Sequence, residues 1–106
     1  MSTCSTHVLD AAAGRPAVGV EVTLLAADGT VLEEGRTDDD GRLRWATTLP
    51  TGTYGLRFAT GAWFARAGVP TIHAAVHLEV HLDDAQPHHH LALLLSPFAY
   101  TTYRGS

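Results

Sequence analysis

Apolar and polar residues alternate with a period of two along most of this chain. The clearest run is residues 76–82, where valine and leucine alternate with histidine and glutamate. This is the period of a β-strand with one buried face. Similar runs occur at residues 18–24, 52–58 and 88–95. The pattern therefore predicts strands over most of the sequence.

Turn signals separate these strand-like runs. Asp-Gly dipeptides at residues 28–29 and 40–41 favour tight turns, and residues 96–99 turn the chain into its last run. Short strands separated by such turns are typical of a β-sandwich. Only Gly61–Ala67 is predicted to be helical, with Gly68 as its C-cap. We expect an all-β sandwich of about eight strands with one short helix.

The run from His88 to Leu95 has two different faces. Because side chains alternate along a strand, Leu91, Leu93 and Leu95 share one face, which predicts a core. The other face begins with His88 and His90 and continues with small and apolar residues. This second face predicts a subunit interface with a polar pocket at one end. A histidine-rich segment exposed to solvent is the alternative.

The composition argues against several classes of function. A chain of 106 residues suits one small domain, spanning residues 1–106. The net charge of −4, with seven arginines and no lysine, argues against nucleic-acid binding, which needs a clustered basic face. An apolar run of about 18 residues is absent, and so is a signal-peptide pattern. The sequence therefore predicts no membrane partner and a cytoplasmic location, and its single cysteine, Cys4, forms no internal disulfide.

Histidine is unusually frequent, with seven in the chain. His88 and His90 share a strand face with Cα atoms roughly 6.5–7 Å apart, a spacing that allows a shared metal ion or a shared substrate. His7 could supply a third ligand, although His-x-His alone is a weak zinc signal. Imidazole also titrates near neutral pH and can act as a general base. The following histidines are predicted to be solvated strand residues: His73, His77 and His81.

Two further features indicate a polar site. Arg42 follows the turn at residues 40–41, and its guanidinium could hold a planar anionic or amide-rich ligand in bidentate fashion. A solvated turn arginine is the alternative. The tail Tyr103–Ser106 places reactive residue types directly after a strand-like run, and the first strand carries His7. We therefore expect the two termini to meet at a site, where the absence of a Gly-x-Ser-x-Gly motif disfavours a serine nucleophile.

Six short motifs occur in order: Ser5-Thr6-His7-Val8-Leu9-Asp10, Pro16-Ala17-x-Gly19, Thr37-Asp38-Asp39-Asp40-Gly41-Arg42, Gly52-Thr53-Tyr54, Leu93-Leu94-Leu95-Ser96-Pro97 and Tyr103-Arg104-Gly105-Ser106. Together they resemble the transthyretin-like family, and within it the 5-hydroxyisourate hydrolases. The resemblance runs from the first strand to the last residue. The Leu-Leu-Ser-Pro segment is also similar to transthyretin itself, whereas the terminal Tyr-Arg-Gly-Ser is the tail of the hydrolases.

The resemblance implies a transthyretin-like (prealbumin-like) β-sandwich. It also implies a homotetramer, a dimer of dimers with its sites in a channel at the dimer–dimer face. The implied activity is hydrolysis of 5-hydroxyisourate, a small molecule of urate breakdown, to 2-oxo-4-hydroxy-4-carboxy-5-ureidoimidazoline, without a cofactor. The matching motifs give the expected catalytic residues His7, Arg42, His90 and Ser106, and the expected substrate-binding residues His88, Tyr103 and Arg104.

In this interpretation His7 and His90 form the general base and its partner around an attacking water, and which of them is the base stays open. Arg42 would hold the substrate ring and offset negative charge on the carbonyl oxygen. Ser106 and its terminal carboxylate would orient the water or a histidine. The reaction needs no metal, although His7, His88 and His90 could capture adventitious zinc.

The sequence departs from the family pattern at three places. His89 stands where the family usually has tyrosine, Leu91-Ala92 replaces Val-Pro, and residues 69–75 diverge. We expect His89 to point to the opposite face and to leave the chemistry intact.

Two other functions stay open at this point. One is a binding module whose transthyretin-type channel carries a small aromatic ligand, which a bulky Tyr103 and the His/Arg set disfavour. The other is a metal-binding protein, which dialysis against a chelator followed by an activity assay would distinguish.

Overall fold

The computed structural model describes residues 1–105, and its secondary structure is almost entirely β. The described chain forms nine strands and one helix, so the all-β prediction is confirmed. One of these strands, Arg15–Pro16, is a two-residue pairing that no sequence pattern marks. In chain order the elements are β1 (Thr3–Asp10), β2 (Arg15–Pro16), β3 (Glu21–Ala26), β4 (Val31–Arg36), β5 (Arg42–Arg44), β6 (Gly52–Phe58), α1 (Thr60–Arg66), β7 (Val76–Leu82), β8 (His88–Ser96) and β9 (Ala99–Gly105).

The strands form two sheets. The first sheet has the order β2-β1-β8-β9, and β5 pairs with β1 on the same edge as β2. Strands β1 and β8 run parallel, and every other pairing in this sheet is antiparallel. The second sheet has the order β4-β3-β6-β7 and is antiparallel throughout.

The core lies between the two sheets and follows the period-two pattern of the sequence. On β8 the leucine face is buried, with Leu93 fully inaccessible to solvent. On β1 the buried residues are Cys4, Thr6 and Val8, and the Thr6 hydroxyl is satisfied there because it donates to the Leu91 carbonyl at 2.7 Å. The largest fully buried side chains are Trp45, Phe58, Leu24, Leu49, Leu56, Leu93, Leu95, Val8, Val20, Val22, Val76 and Thr6.

Helix α1 lies one residue earlier than predicted and is followed by a left-handed Gly68, with φ of +69°. Its start packs so closely on the chain after it that a Cβ at Gly61 would lie 2.4 Å from the Ala74 carbonyl oxygen. Phe64 is buried, and the Trp63 indole donates to the Val18 carbonyl at 2.7 Å. No helix within residues 1–105 has both the length and the apolar character that crossing a bilayer requires.

One local prediction needs correction. The run at residues 18–24 is not all strand: β3 begins only at Glu21, because Gly19 turns the chain with φ of +78° and leaves Val18 exposed. The tight turn predicted at residues 40–41 does form, and in it the Gly41 amide donates to the Asp38 carbonyl at 2.9 Å. It carries the chain from β4 in the second sheet to β5 in the first sheet.

Candidate active site

Polar residues from four strands share the outer face of the first sheet, which we define as the face turned away from the core. Residues that register across neighbouring strands point to the same side of a sheet. Two cross-strand rows therefore lie on this face: Arg44–Ser5–His90–Gly105 and Arg42–His7–Ala92–Tyr103. The first and last strands flank β8, as the sequence predicts for the termini, while Ser106 lies outside the described residues.

The two histidines expected to act together lie side by side on the outer face. The ring centroids of His7 and His90 are 6.3 Å apart, and the rings are tilted by 39°. Both side chains are partly buried, whereas Arg42, which registers with His7, is exposed. The sheet thus brings three of the four predicted catalytic residues together.

The ring of His7 is oriented by the turn before β5. His7 Nε2 is 2.9 Å from the carbonyl oxygen of Asp40, and because a carbonyl oxygen only accepts, this nitrogen carries the proton. In the neutral imidazole the lone pair is then on Nδ1. The turn itself touches β1, since the Val8 amide donates to the Gly41 carbonyl at 2.7 Å.

Asp38, for which the sequence predicts no role, organises that turn. Its carboxylate accepts hydrogen bonds of 2.9 Å from the amides of both Asp40 and Arg42. These bonds, the one from Arg42 being the larger effect, together with the charges of Arg42 and His7, hold the pKa of Asp38 below its usual value. Gly41 is needed beside it, because its φ is +75° and a Cβ would lie 2.3 Å from the Val8 oxygen.

His90 contacts Ser5 of β1 and Gly105 of β9. Ser5 Oγ is 2.7 Å from His90 Nδ1 and 2.9 Å from His88 Nε2, so one hydroxyl bridges both imidazoles. A Cβ on Gly105 would lie 2.6 Å from Cδ2 of His90, so the ring rests directly on the glycine of the C-terminal tail. Neither Ser5 nor Gly105 was singled out by sequence reasoning, although Ser5 lies two residues before His7 and so shares its face.

Burial lowers the pKa of two imidazoles on β8, those of His88 and His90. Desolvation is the largest effect lowering the pKa of His90, and the charges of His7, His88 and Arg42 lower it further. Desolvation, followed by the charges of Arg44 and His89, also lowers the pKa of His88. A neutral imidazole is the form that can accept a proton.

The three residues expected to bind substrate do not share one environment in the structure. Tyr103 lies on the outer face in the row of His7 and is about half exposed. Both ring nitrogens of His88 are occupied, by the hydroxyls of Thr3 and Ser5. Arg104 registers with Leu91 and therefore lies on the opposite side of the sheet from His90, so this chain does not bring it to the site.

The geometry does not support a zinc site at His7, His88 and His90. Within residues 1–105, no three His, Cys, Asp or Glu side chains are arranged to hold a metal ion. Both ring nitrogens of His88 are also occupied by hydroxyls, so this ring has no free nitrogen for a metal ion.

The remaining histidines lie elsewhere. As the sequence predicts, His77 and His81 are exposed on β7 in the second sheet. The prediction for His73 is wrong: it precedes β7, lies in none of the described strands, and is partly buried with its ring 5.0 Å from that of Tyr100. His89 faces the core, is buried, and its Nε2 donates to the Asp83 carbonyl at 2.9 Å. The expectation that His89 points away from the outer face is confirmed.

Comparisons with known proteins agree with this picture. The sequence profile of the HIUase/Transthyretin family matches residues 4–105. The 5-hydroxyisourate hydrolase 2 of Rhizobium meliloti (strain 1021) is 42 % identical, over 96 % of this chain and 94 % of its own. The solved structure of Klebsiella pneumoniae 5-hydroxyisourate hydrolase is also 42 % identical and superimposes with a TM-score of 0.93 over all of both chains. Sea bream transthyretin in complex with thyroxine is 33 % identical, with a TM-score of 0.88 over 96 % of this chain and 93 % of its own.

These observations define a class of protein: a β-sandwich in which the outer face of one sheet carries histidine and arginine side chains. The chain belongs to the HIUase/Transthyretin family. The prediction of a transthyretin-like fold is confirmed, and so is the prediction of an enzyme, since relatives named as hydrolases match the chain almost end to end.

Proposed function

We propose that this protein hydrolyses 5-hydroxyisourate to 2-oxo-4-hydroxy-4-carboxy-5-ureidoimidazoline, a step of urate breakdown. One observation carries the proposal. His7 and His90 lie with ring centroids 6.3 Å apart beside Arg42, in a chain similar over its whole length to proteins named 5-hydroxyisourate hydrolase. Two imidazoles at this separation leave room for a water held between them.

The residues of the outer face suit hydrolysis of a cyclic amide. One imidazole takes a proton from water as the water oxygen bonds to the ring carbonyl carbon. The guanidinium of Arg42 offsets the negative charge that develops on the carbonyl oxygen. The carbon–nitrogen bond then breaks, and the departing ring nitrogen takes the proton back from the imidazole. No step in this sequence requires a metal or an organic cofactor.

The C-terminal tail belongs to the proposal through its sequence and through Gly105. The hydrolase-type tail ends with Ser106, and Gly105 directly before it supports His90. In our proposal Ser106 orients the water or a histidine, and Tyr103 borders the substrate. Arg104 is left out of this role within one subunit, because it lies on the other side of the sheet.

A homotetramer is part of the same proposal. The outer face is one side of a sheet, which cannot surround a substrate by itself, and a second copy laid on it would close the site. The exposed Tyr103 and the unpaired edge of β9 provide surface for such contacts. The family resemblance supplies the expected arrangement, a dimer of dimers with the sites in a channel.

The direct test is turnover of freshly prepared 5-hydroxyisourate, followed by the loss of its ultraviolet absorption. The proposal predicts decay well above the spontaneous rate at catalytic protein concentrations. A protein that binds a thyroxine-sized aromatic ligand in a calorimeter but leaves the spontaneous rate unchanged would instead be a carrier.

A further inference from the structure

A chain of hydrogen bonds runs along the outer face from the backbone before β8 to His90. The in-register parallel pairing of β1 and β8 sets Thr3 beside His88 and Ser5 beside His90. Thr3 Oγ1 is 2.5 Å from His88 Nδ1, and Ser5 Oγ connects His88 Nε2 at 2.9 Å with His90 Nδ1 at 2.7 Å. Three of the four imidazole nitrogens of these two histidines are therefore occupied by hydroxyls.

The far end of the chain favours one direction. Thr3 Oγ1 also lies 3.4 Å from the carbonyl oxygen of Pro87, which can only accept, so a threonine hydroxyl turned toward Pro87 donates there. In that orientation the hydroxyl has no second proton, and Thr3 accepts from Nδ1–H of His88 at the shorter distance of 2.5 Å. Nε2 of His88 then accepts from Ser5, and Ser5 accepts from Nδ1–H of His90.

This direction leaves the lone pair of His90 on Nε2, which has no hydrogen-bond partner among residues 1–105. The charged and titratable groups around the ring are His7 on β1, His88 on β8, and Arg42 and Arg44 on β5. Within residues 1–105 none of these groups is a carboxylate, so none of them favours a second proton on His90 in the resting state.

We propose that the chain from Pro87 through Thr3, His88 and Ser5 fixes the tautomer of His90, so that its Nε2 is the general base of the reaction. This inference rests on the proposed function for its chemistry. Ser5 and His88 are positioning residues, and His88 binds no substrate. His90 Nε2 takes the proton of the attacking water, and Ser5 Oγ holds Nδ1–H of the resulting imidazolium. His90 Nε2 returns the proton to the ring nitrogen as the carbon–nitrogen bond breaks.

The tautomer can be measured without any substrate. In the protein labelled with nitrogen-15 histidine, long-range proton–nitrogen correlation spectra show which ring nitrogen carries the proton. The wild-type protein should show His90 protonated at Nδ1 alone at a pH where the ring is neutral. A proton on Nε2 of His90 in the wild type overturns the inference.

Variants connect the tautomer to the rate. In Ser5→Ala, His90 loses the acceptor for Nδ1–H, and we expect a mixed tautomer and a kcat about tenfold lower, the rate equivalent of one hydrogen bond, with little change in KM. In His88→Ala the freed Ser5 hydroxyl can donate to Nδ1, which should shift the proton of His90 to Nε2. Ser5→Thr keeps a hydroxyl and should recover most of the rate.

Ser96→Ala is the matched control, because among the described residues the hydroxyl of Ser96 bonds only to the Ala99 carbonyl, at the opposite end of β8. It should leave both the His90 tautomer and kcat unchanged. A Ser5→Ala variant with wild-type kcat overturns the inference. If the wild type shows the predicted tautomer but does not hydrolyse 5-hydroxyisourate, the proposed function fails while the hydrogen-bond chain stands.

Discussion

His90 rests on Gly105, and this contact ties a ring of the site to the C-terminal tail. The ring lies so close that a Cβ at residue 105 would be 2.6 Å from His90 Cδ2. Side-chain carbons do not approach this closely, so the ring would have to move by a sizeable fraction of an ångström. The glycine is thus required by a neighbour 15 positions earlier in the chain rather than by its own backbone.

Gly105→Ala should therefore displace His90 and reduce turnover. A displacement of about 1 Å at a reacting group can cost on the order of 10²-fold in rate, so we expect a fall of about that size in kcat. Gly52→Ala is the control, because a Cβ there meets nothing nearer than 3.6 Å, an ordinary contact. Equal activity in the two variants would show that His90 does not depend on the glycine.

The lowered pKa of His90 predicts the acid side of the pH profile. Burial, with the neighbouring positive groups, holds this pKa below 6.5, so the neutral base persists until the pH falls below that value. The plot of log kcat/KM against pH should bend downward only below 6.5. An acid limb centred above 6.5 would exclude His90 as the titrating base.

The same pKa direction has a consequence for stability. Between the folded and unfolded pKa values of His88 and His90, the unfolded chain binds more protons than the folded chain. The free energy of unfolding should therefore decrease as the pH falls through and below about 6.5.

Among the elements, the turn between β4 and β5 connects the two sheets and also positions residues of the site. It leads directly into Arg42, the first residue of β5, and it supplies the Asp40 carbonyl that orients His7. The carboxylate of Asp38 holds it together. The β3–β4 turn has a similar design away from the site, with Asp28 accepting from the Thr30 amide at 2.9 Å.

These two turns make a matched pair of variants. Asp38→Ala removes the acceptor for the Asp40 and Arg42 amides, so both His7 and Arg42 lose their fixed positions, and kcat/KM should fall about tenfold or more. Asp28→Ala should lower the melting temperature about as much as Asp38→Ala does, while leaving kcat/KM unchanged. Melting curves and initial rates on both proteins decide the matter, and an equal loss of activity in the two would contradict a positioning role for Asp38.

How much of each element can be predicted depends on how far apart in the chain the interacting residues lie. The two faces of β8 were predictable because alternation is written in consecutive residues, and the buried Leu91 and outward His90 follow it. The start of β3 was not predictable, because the left-handed backbone of Gly19 interrupts the strand although the alternation of apolar and polar residues continues through it. An Asp-Gly dipeptide also does not indicate whether the next strand joins the same sheet. After Gly41 the next strand, β5, joins the other sheet.

The whole molecule adds what no local pattern contains. Ser5 and His90 are 85 residues apart and meet only because β1 and β8 pair in parallel. The family resemblance pointed to His7, Arg42 and His90 without this pairing, but it did not single out Ser5, Asp38 or Gly105. Those residues act on their neighbours through hydrogen bonds and close packing, which are visible only in three dimensions.

The proposed tetramer is a prediction at this scale. Four chains of 11.3 kDa give about 45 kDa, and light scattering on the eluting protein should report that mass. A stable, active monomer near 11.3 kDa would contradict the proposal that a second copy closes the site.

The central claim is that His7 and His90 together activate water for hydrolysis of 5-hydroxyisourate. The most direct measurement is the initial rate of ultraviolet decay of this compound with the wild type, His7→Ala, His90→Ala and the exposed-histidine control His81→Ala. The account predicts wild-type turnover for His81→Ala and a loss of roughly 10²-fold or more in kcat for each of the other two, the scale of losing a general base. Near-wild-type rates in folded His7→Ala and His90→Ala proteins would contradict it.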